Sequence, residues 1–382
     1  MKRRRSKFSL IDKYVPIEVW EQVMWRLPSK TLCRLRCVNR EWRSIIDNPS
    51  FVLKHYEVYK NHPKKSFLFC EEQIDIRGYK LFFLRHDKSL KKYYEIMKSN
   101  HNILYWSSNF FVANCRGLVL IREFNNGLKL WNPSIRKALS IEQCSLNYTK
   151  RNYYVLGYAK SSNDFKVICF NWSGFKKREN VFSFGVYSIC ESIWVEKTSS
   201  IVYPEIGDDF SRPSHYTVAF YSEGWCYWTT RTHIIAFDFD NECFSIMDWP
   251  DIEDGMVKFL VKSEERLGAF GISHATTRMW VLDEDTRIWH VQFSINLDNL
   301  VTDFFKEEEL RSRMTLYYPK SGELVMYKNS RLIRYNIKTS QMVADLTSAS
   351  IHYVDHHVET IMFGTGLEGQ NLVHFPASTE DG

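Results

Sequence analysis

The sequence predicts a small all-α head of three helices followed by an all-β propeller of six blades. Three observations carry that expectation. Residues 12–52 place large apolar side chains at helical spacing between prolines. From Ser66 onward, a glycine and two strands recur at a nearly constant offset. Aromatic residues make up 15% of the chain, an excess that suits pleated sheets, where flat rings pack across neighbouring strands. The expected layout is a basic disordered tail over 1–11, the head over 12–52, a linker over 53–65, the propeller over 66–376 and a disordered tail over 377–382.

The first helix is bounded by Pro16 and Pro28. Proline suits a first helical turn, and Pro28 disfavours helical geometry at Leu27. Ile17, Trp20, Met24 and Leu27 recur at steps of three and four, giving one apolar stripe. Ser29 reads as the N-cap of the second helix. There Leu32, Cys33, Leu35 and Cys37 share an arc with Val38 at its edge, while Lys30 and Arg34 point away. Arg36 falls inside the arc, so its guanidinium must snorkel or meet a carboxylate. Trp42, Ile45 and Ile46 form the apolar side of a third helix, which Asp47-Asn48-Pro49 stops. So short a module buries little apolar surface alone. Its apolar faces need a partner, either the following domain or another protein.

The repeat begins with a glycine ahead of an apolar strand, followed by a second strand. "RGLVLI" at Gly117 precedes "LKLWNPS" with Trp131, and "EGWCYW" at Gly224 precedes "IIAFDFD" with Phe237. "LGAFGI" at Gly268 precedes "RMWVLDE" with Val281, and "SGELVMY" at Gly322 precedes "LIRYNIKTS" with Tyr335. The offsets are 14, 13, 13 and 13 residues. Asn132, Asp238 and Asn336 directly follow the aromatic, where an Asx side chain can bond the backbone of the next turn. A degenerate unit, "DFKVICF" with "FSFGVYSICESIWVEK", fills the long gap after the first. An earlier unit fits "SFLFCEEQIDIRGYKLFFLRH". Multi-stranded repeats of this period are the signature of a propeller. Strands around "HHVETIMFGT" and "NLVHFPA" are the candidates for closing the ring.

Charge is uneven. Net charge is +6, yet residues 1–50 carry twelve Lys/Arg against five Asp/Glu, a net of +7. This points to an acidic partner for that segment alone. Nine cysteines, scattered and without a C-x-x-C, read as free thiols of a reducing compartment, cytoplasm and/or nucleus. The start "MKRRRSKFSL" lacks the apolar stretch of a secretory signal, and no apolar run of membrane-spanning length occurs. The cluster from Lys2 to Lys7 reads as a disordered basic tail or a nuclear import signal, and the sequons at Asn147 and Asn171 as chance matches.

The stretch "VPIEVWEQVMWRLPSKTLCRLRCVNREWRSIIDNPSFVLKHY" (15–56) resembles an F-box of the plant type. It supplies Pro16, Glu18, Glu21, Arg26, Leu27, Pro28, Lys30, Leu32, Arg34, Arg36, Cys37, Val38, Trp42, Arg43, Ser44, Ile46, Pro49 and Phe51 in the order of the family pattern. Val15 and Trp20 depart from the usual Leu or Ile but stay apolar, so docking is expected to be retained. The remainder resembles the F-box-associated domain of the same plant proteins, related to kelch-type propellers. "CRGLVLI…LKLWNPSIRK", "VLGYAKSSNDFKVICF" and "GWCYWTTRTHIIAFDFDNECF" carry that resemblance, with Arg116 in place of the common Asn before Gly117.

The resemblance implies a substrate receptor of a cullin-based ubiquitin ligase. Its F-box would dock on an acidic, helical Skp-type adaptor, which connects to the cullin. Its propeller would hold a target protein of unknown identity. By residue, the adaptor-binding set is Val15, Pro16, Ile17, Val19, Leu27, Pro28, Leu32, Val38 and Trp42. Trp42 packs either in the head's core or at the adaptor junction.

A nucleic-acid-binding protein would use Arg34, Arg40 and Arg43 on phosphates, but Glu18, Glu21 and Glu41 interrupt that surface. An enzyme would need a nucleophile motif, P-loop, dinucleotide fingerprint or metal constellation, and none is present. Cys33 and Cys37 read as core or interface thiols, since tetrahedral zinc needs four ligands and no His or further Cys is near. His352, His356 and His357 read as solvent-facing or hydrogen-bonded histidines. No cofactor, metal or membrane is implied.

Overall fold

A computed structural model describes residues 15–60, 66–73, 78–85, 93–98, 111–122, 127–135, 137–142, 144, 152–171, 181–200, 220–222, 224–229, 233–252, 257–263, 266–272, 276–295, 314–318, 321–328, 331–347, 351–362 and 372–374. The expected tails at 1–11 and 377–382 lie outside the described residues.

The head has four helices, not three: α1 (Ile17–Met24), α2 (Ser29–Leu35), α3 (Arg40–Ile46) and α4 (Pro49–Lys60). The expected linker over 53–65 is therefore helical as far as Lys60. The reason is local. Asn48 accepts hydrogen bonds from the Ser50 amide at 2.9 Å and hydroxyl at 2.8 Å, and Pro49 opens the helix. An Asn cap with Pro at the first position starts a helix as well as ending the previous one. At α2 the cap is Pro28, with extended ψ of 147°, and Ser29 is instead a buried first residue. Asn39 caps α3, accepting from the Trp42 amide at 2.7 Å. Arg36 does meet a carboxylate: its Nη2 donates to Asp47 Oδ2 at 2.8 Å and its Nε to Oδ1, tying α2 to the end of α3.

Beyond the head all elements among the described residues are strands. β1 (Ser66–Gln73), β2 (Gly78–Arg85) and β3 (Tyr93–Lys98) pair antiparallel. β4 (Phe111–Cys115), β5 (Leu118–Arg122), β6 (Leu128–Asn132) and β7 (Lys137–Ile141) form the next set. β8 (Asn152–Ala159), β9 (Asp164–Asn171), β10 (Val181–Ser188) and β11 (Ile193–Ser200) form a third. β12 (Phe220–Ser222), β13 (Trp225–Thr229), β14 (Ile234–Asp238) and β15 (Cys243–Met247) form a fourth. The next eight strands share one sheet: β16 (Val257–Ser263), β17 (Arg266–Ile272), β18 (Thr277–Asp283), β19 (Ile288–Ile295), β20 (Met314–Tyr318), β21 (Glu323–Lys328), β22 (Arg331–Asn336) and β23 (Gln341–Thr347). β24 (Ile351–His357) pairs with β1, and β25 (Leu372–His374) pairs with β7.

The described strands thus make a propeller of five sheets, not six blades. β16 and β20 join in parallel at Lys262↔Leu316 and Ser263↔Tyr317. That short pairing fuses two units of the sequence repeat into one sheet of double width. Closure runs through the chain ends, as expected from "HHVETIMFGT" and "NLVHFPA": β24 lies against β1, β4 and β20, and β25 extends the sheet of β4 to β7.

The repeat's turn chemistry is visible. Asn132 Oδ1 accepts from the Ser134 amide at 2.9 Å. Asp238 Oδ1 accepts from Asp240 at 2.8 Å and Asn241 at 3.2 Å, and Asn336 Oδ1 from Lys338 at 2.9 Å and Thr339 at 3.1 Å. A further unit has the same device at Asp283, bonded to Asp285 at 3.1 Å and Thr286 at 2.9 Å. It sits one residue beyond the register read around Val281. Gly117, Gly224 and Gly322 have φ of 79°, 99° and 71°, the left-handed backbone that glycine tolerates. Gly268 is different: it lies within β17, where a Cβ would meet the Trp280 carbonyl at 3.1 Å.

One apolar core runs from the head into the propeller. Met24, Leu32, Ile46, Phe51, Val52 and Tyr56 join a cluster with Leu118, Leu130, Tyr158, Phe170 and Phe237. Between the third and fourth sheets the rings meet edge to face, Phe184–Phe244 at 5.2 Å and Phe184–Phe237 at 5.8 Å. Such pairs add to the area they bury.

Candidate functional site

The head shows two apolar sides. One is buried against the chain itself, through Met24, Leu32, Ile46, Phe51, Val52 and Tyr56. The other is open. Ile17 is 53% exposed, Val19 45%, Val23 47% and Val38 59%. Large aliphatic side chains this exposed lose hydration cost when a partner covers them, about 1.5–3 kcal/mol for each one fully buried. Pro16 and Pro28 are also exposed, and Val15, Leu27 and Trp42 are partly covered.

Of the nine candidate residues, Leu32 is the exception. It is 0% exposed and part of the head's core, so it holds the fold rather than offering a docking contact. Helical periodicity assigned it to the apolar stripe but could not say which body covers the stripe. Val23 was missed: it lies one turn after Val19 on α1 and shares its exposure. That i,i+4 pair was legible as a second, narrower apolar strip. Trp42 packs against Trp20 with ring centroids 5.6 Å apart, so it belongs at the edge of the head's own packing.

α4 supports this surface from beneath. His55 is buried, its Nε2 lies 3.0 Å from the Leu27 carbonyl, and its ring stacks on Tyr59 at 4.5 Å. Tyr59 donates to the Arg26 carbonyl at 3.3 Å. The last turn of α1 and the Leu27-Pro28 corner are thereby held on α4. Burial lowers the His55 pKa to about 4, opposed by the backbone bond to Leu27, so the ring is neutral at pH 7.

The basic residues divide. Arg36 and Arg43 both reach Asp47, the latter at 3.4 Å, whereas Arg34 and Arg40 are exposed. Cys37 is exposed with its thiol 3.7 Å from the Cys33 carbonyl, and burial raises the Cys33 pKa. His357 is buried near Ser134, Nε2 to Oγ 3.4 Å. His352 and His356 belong to β24, and their side chains lie outside the described residues. Among the described residues, no group of three or more His, Cys, Asp or Glu gathers as a metal site would.

A four-helix module seated on a propeller, with one apolar side open, is the class of protein that this geometry defines: a small helical head carried by a β-scaffold. Comparison with known families makes the class specific. The model of the F-box associated beta propeller domain matches residues 66–344, and that of the F-box domain matches residues 15–54. The chain belongs to the F-box associated beta propeller family and carries an F-box at its head. It is similar to F-box/kelch-repeat protein At3g23880 of Arabidopsis thaliana, 22% identical over 358 residues, covering 88% of this chain and 94% of that one. It is also similar to F-box protein At3g22700 of Arabidopsis thaliana, 23% identical over 323 residues, covering 77% and 90%. Among solved structures, TolB from Acinetobacter baumannii superposes with a TM-score of 0.43 at 12% identity, over 77% of this chain and 66% of that chain.

Proposed function

We propose that this chain is the substrate-recognition subunit of a cullin-based ubiquitin ligase. The F-box docks on an acidic Skp-type adaptor, and through it on a cullin, while the propeller binds a protein to be ubiquitinated. The observation that carries the reading is the open apolar side of the head. Ile17, Val19, Val23 and Val38 stay exposed although the opposite side of the same helices is sealed by the chain's own core. Exposed cations at Lys30, Arg34 and Arg40 accompany them, which suits an acidic partner.

In this reading the chain performs no covalent chemistry. Its contribution is proximity: by holding a target beside a loaded conjugating enzyme it raises the effective concentration of target lysines. The test is co-purification with a Skp-type adaptor. Binding by the full chain, lost on replacing Val19 and Val38 with Asp, is the expected result. No binding by a folded chain, in an assay where other F-boxes bind, overturns the proposal.

A further inference from the structure

Arg116 occupies an unexpected backbone position. Its φ is 48°, in the left-handed region, where glycine or asparagine sits with less strain. A long charged side chain in such a place is worth explaining by what the side chain reaches. The guanidinium carbon lies 3.8 Å from the centroid of the Tyr158 ring and 5.1 Å from that of Tyr56. Tyr158 stands near the end of β8, Tyr56 on α4, and Arg116 in the turn between β4 and β5. One side chain from the second sheet thus reaches both the head and the third sheet.

We infer that Arg116 is a positioning residue that clamps the F-box head to the propeller by bracketing its guanidinium between Tyr56 and Tyr158. Planarity matters here, because a flat guanidinium can stack against an aromatic face and so fix its orientation, which an ammonium cannot do. Hydrophobic contact along α4 holds the head on, but burial is non-directional. The bracket supplies direction. Head and propeller then move as one body, and the angle between the adaptor-facing side chains and the propeller is set within the chain. Its consequence for target presentation rests on the receptor reading above; the clamp itself does not, and the experiment reads only the clamp.

The experiment places spin labels, through non-canonical residues, at exposed Glu41 on α3 and exposed Glu191 in the turn before β11, and measures their distance distribution in the full chain. The wild type should give one narrow distribution. Arg116→Gly and Arg116→Asn remove the guanidinium while relieving the backbone, so folding is favoured. Both should broaden the distribution at least twofold, with the propeller's melting transition unchanged or raised. Tyr56→Leu should broaden it likewise, and Tyr56→Phe should leave it narrow. A wild-type width in the folded Gly and Asn variants overturns the inference. So does equal broadening by Tyr56→Phe and Tyr56→Leu.

Discussion

Asn132 holds the segment after β24 to the second sheet: its Nδ2 donates to the Thr360 carbonyl at 3.0 Å and to the Met362 carbonyl at 2.6 Å, across more than two hundred positions of sequence. The side chain is fully buried, and its Oδ1 simultaneously takes the Ser134 amide. Thr360 and Met362 directly follow β24, the strand that completes the sheet begun by β1. The Asx turn of one repeat unit is therefore also the fastening for ring closure. Replacing Asn132 with Ala strands two buried carbonyls and should cost about 2–4 kcal/mol. Chemical denaturation should show a lower midpoint, with hydrogen exchange accelerated first around 358–362.

Gly117 stands against the same segment. A Cβ there would lie 2.2 Å from the Val358 carbonyl oxygen and 2.7 Å from Thr360 Cγ2, at a backbone φ of 79°. Gly117→Ala should destabilise the chain by about 2 kcal/mol or more, through left-handed strain and displacement of the closing segment. Thermal melting checks it. The same substitution at Gly224, where the nearest atom to a Cβ is 3.6 Å away, should cost less despite a similar φ.

Val38 and Leu32 should separate docking from folding. Val38→Asp changes an exposed residue and should leave melting within about 1 kcal/mol of wild type. It should weaken adaptor binding at least tenfold, about 1.4 kcal/mol. Leu32→Ala empties a core position and should cost about 2–5 kcal/mol of stability. Isothermal titration with a Skp-type adaptor, beside melting of each variant, distinguishes the two.

His55 makes the head acid-sensitive. Its folded pKa is lowered to about 4 from the ordinary 6.5, chiefly by burial. The unfolded chain therefore takes up the proton first, and between those two values it binds more protons than the folded chain. Stability contributed by the neutral ring is complete above about pH 6.5 and declines as pH falls toward 4, by about 2 kcal/mol at pH 5. Amide exchange of α4 at pH 7.5 and pH 5, corrected for intrinsic rate, should show this loss. A His55→Gln variant should flatten it.

What was legible in the sequence was local. The stripes of α1 to α3, the choice for Arg36 between snorkelling and a carboxylate, and the Asx turns after Trp131, Phe237 and Tyr335 follow from side-chain spacing, which offers only candidates for the strands that close the ring. α4 is hidden in the sequence because Asn48-Pro49 both ends one helix and begins the next, and the stop signal masks the start. The merging of two repeat units was hidden because it depends on β16 and β20 lying side by side. Nothing in either strand's own pattern records a parallel neighbour more than fifty residues away.

The sequence by itself determined the two-part architecture, the family and the composition of the helical head, because helical and strand periodicities and turn residues act within a few positions of each other. Only the tertiary structure decided which apolar residues of the head face the chain and which face outward, how the sheets join, and that Arg116 meets both Tyr56 and Tyr158. Those outcomes depend on which surfaces come together when the ring closes, and burial is a property of the pair of surfaces rather than of either segment alone.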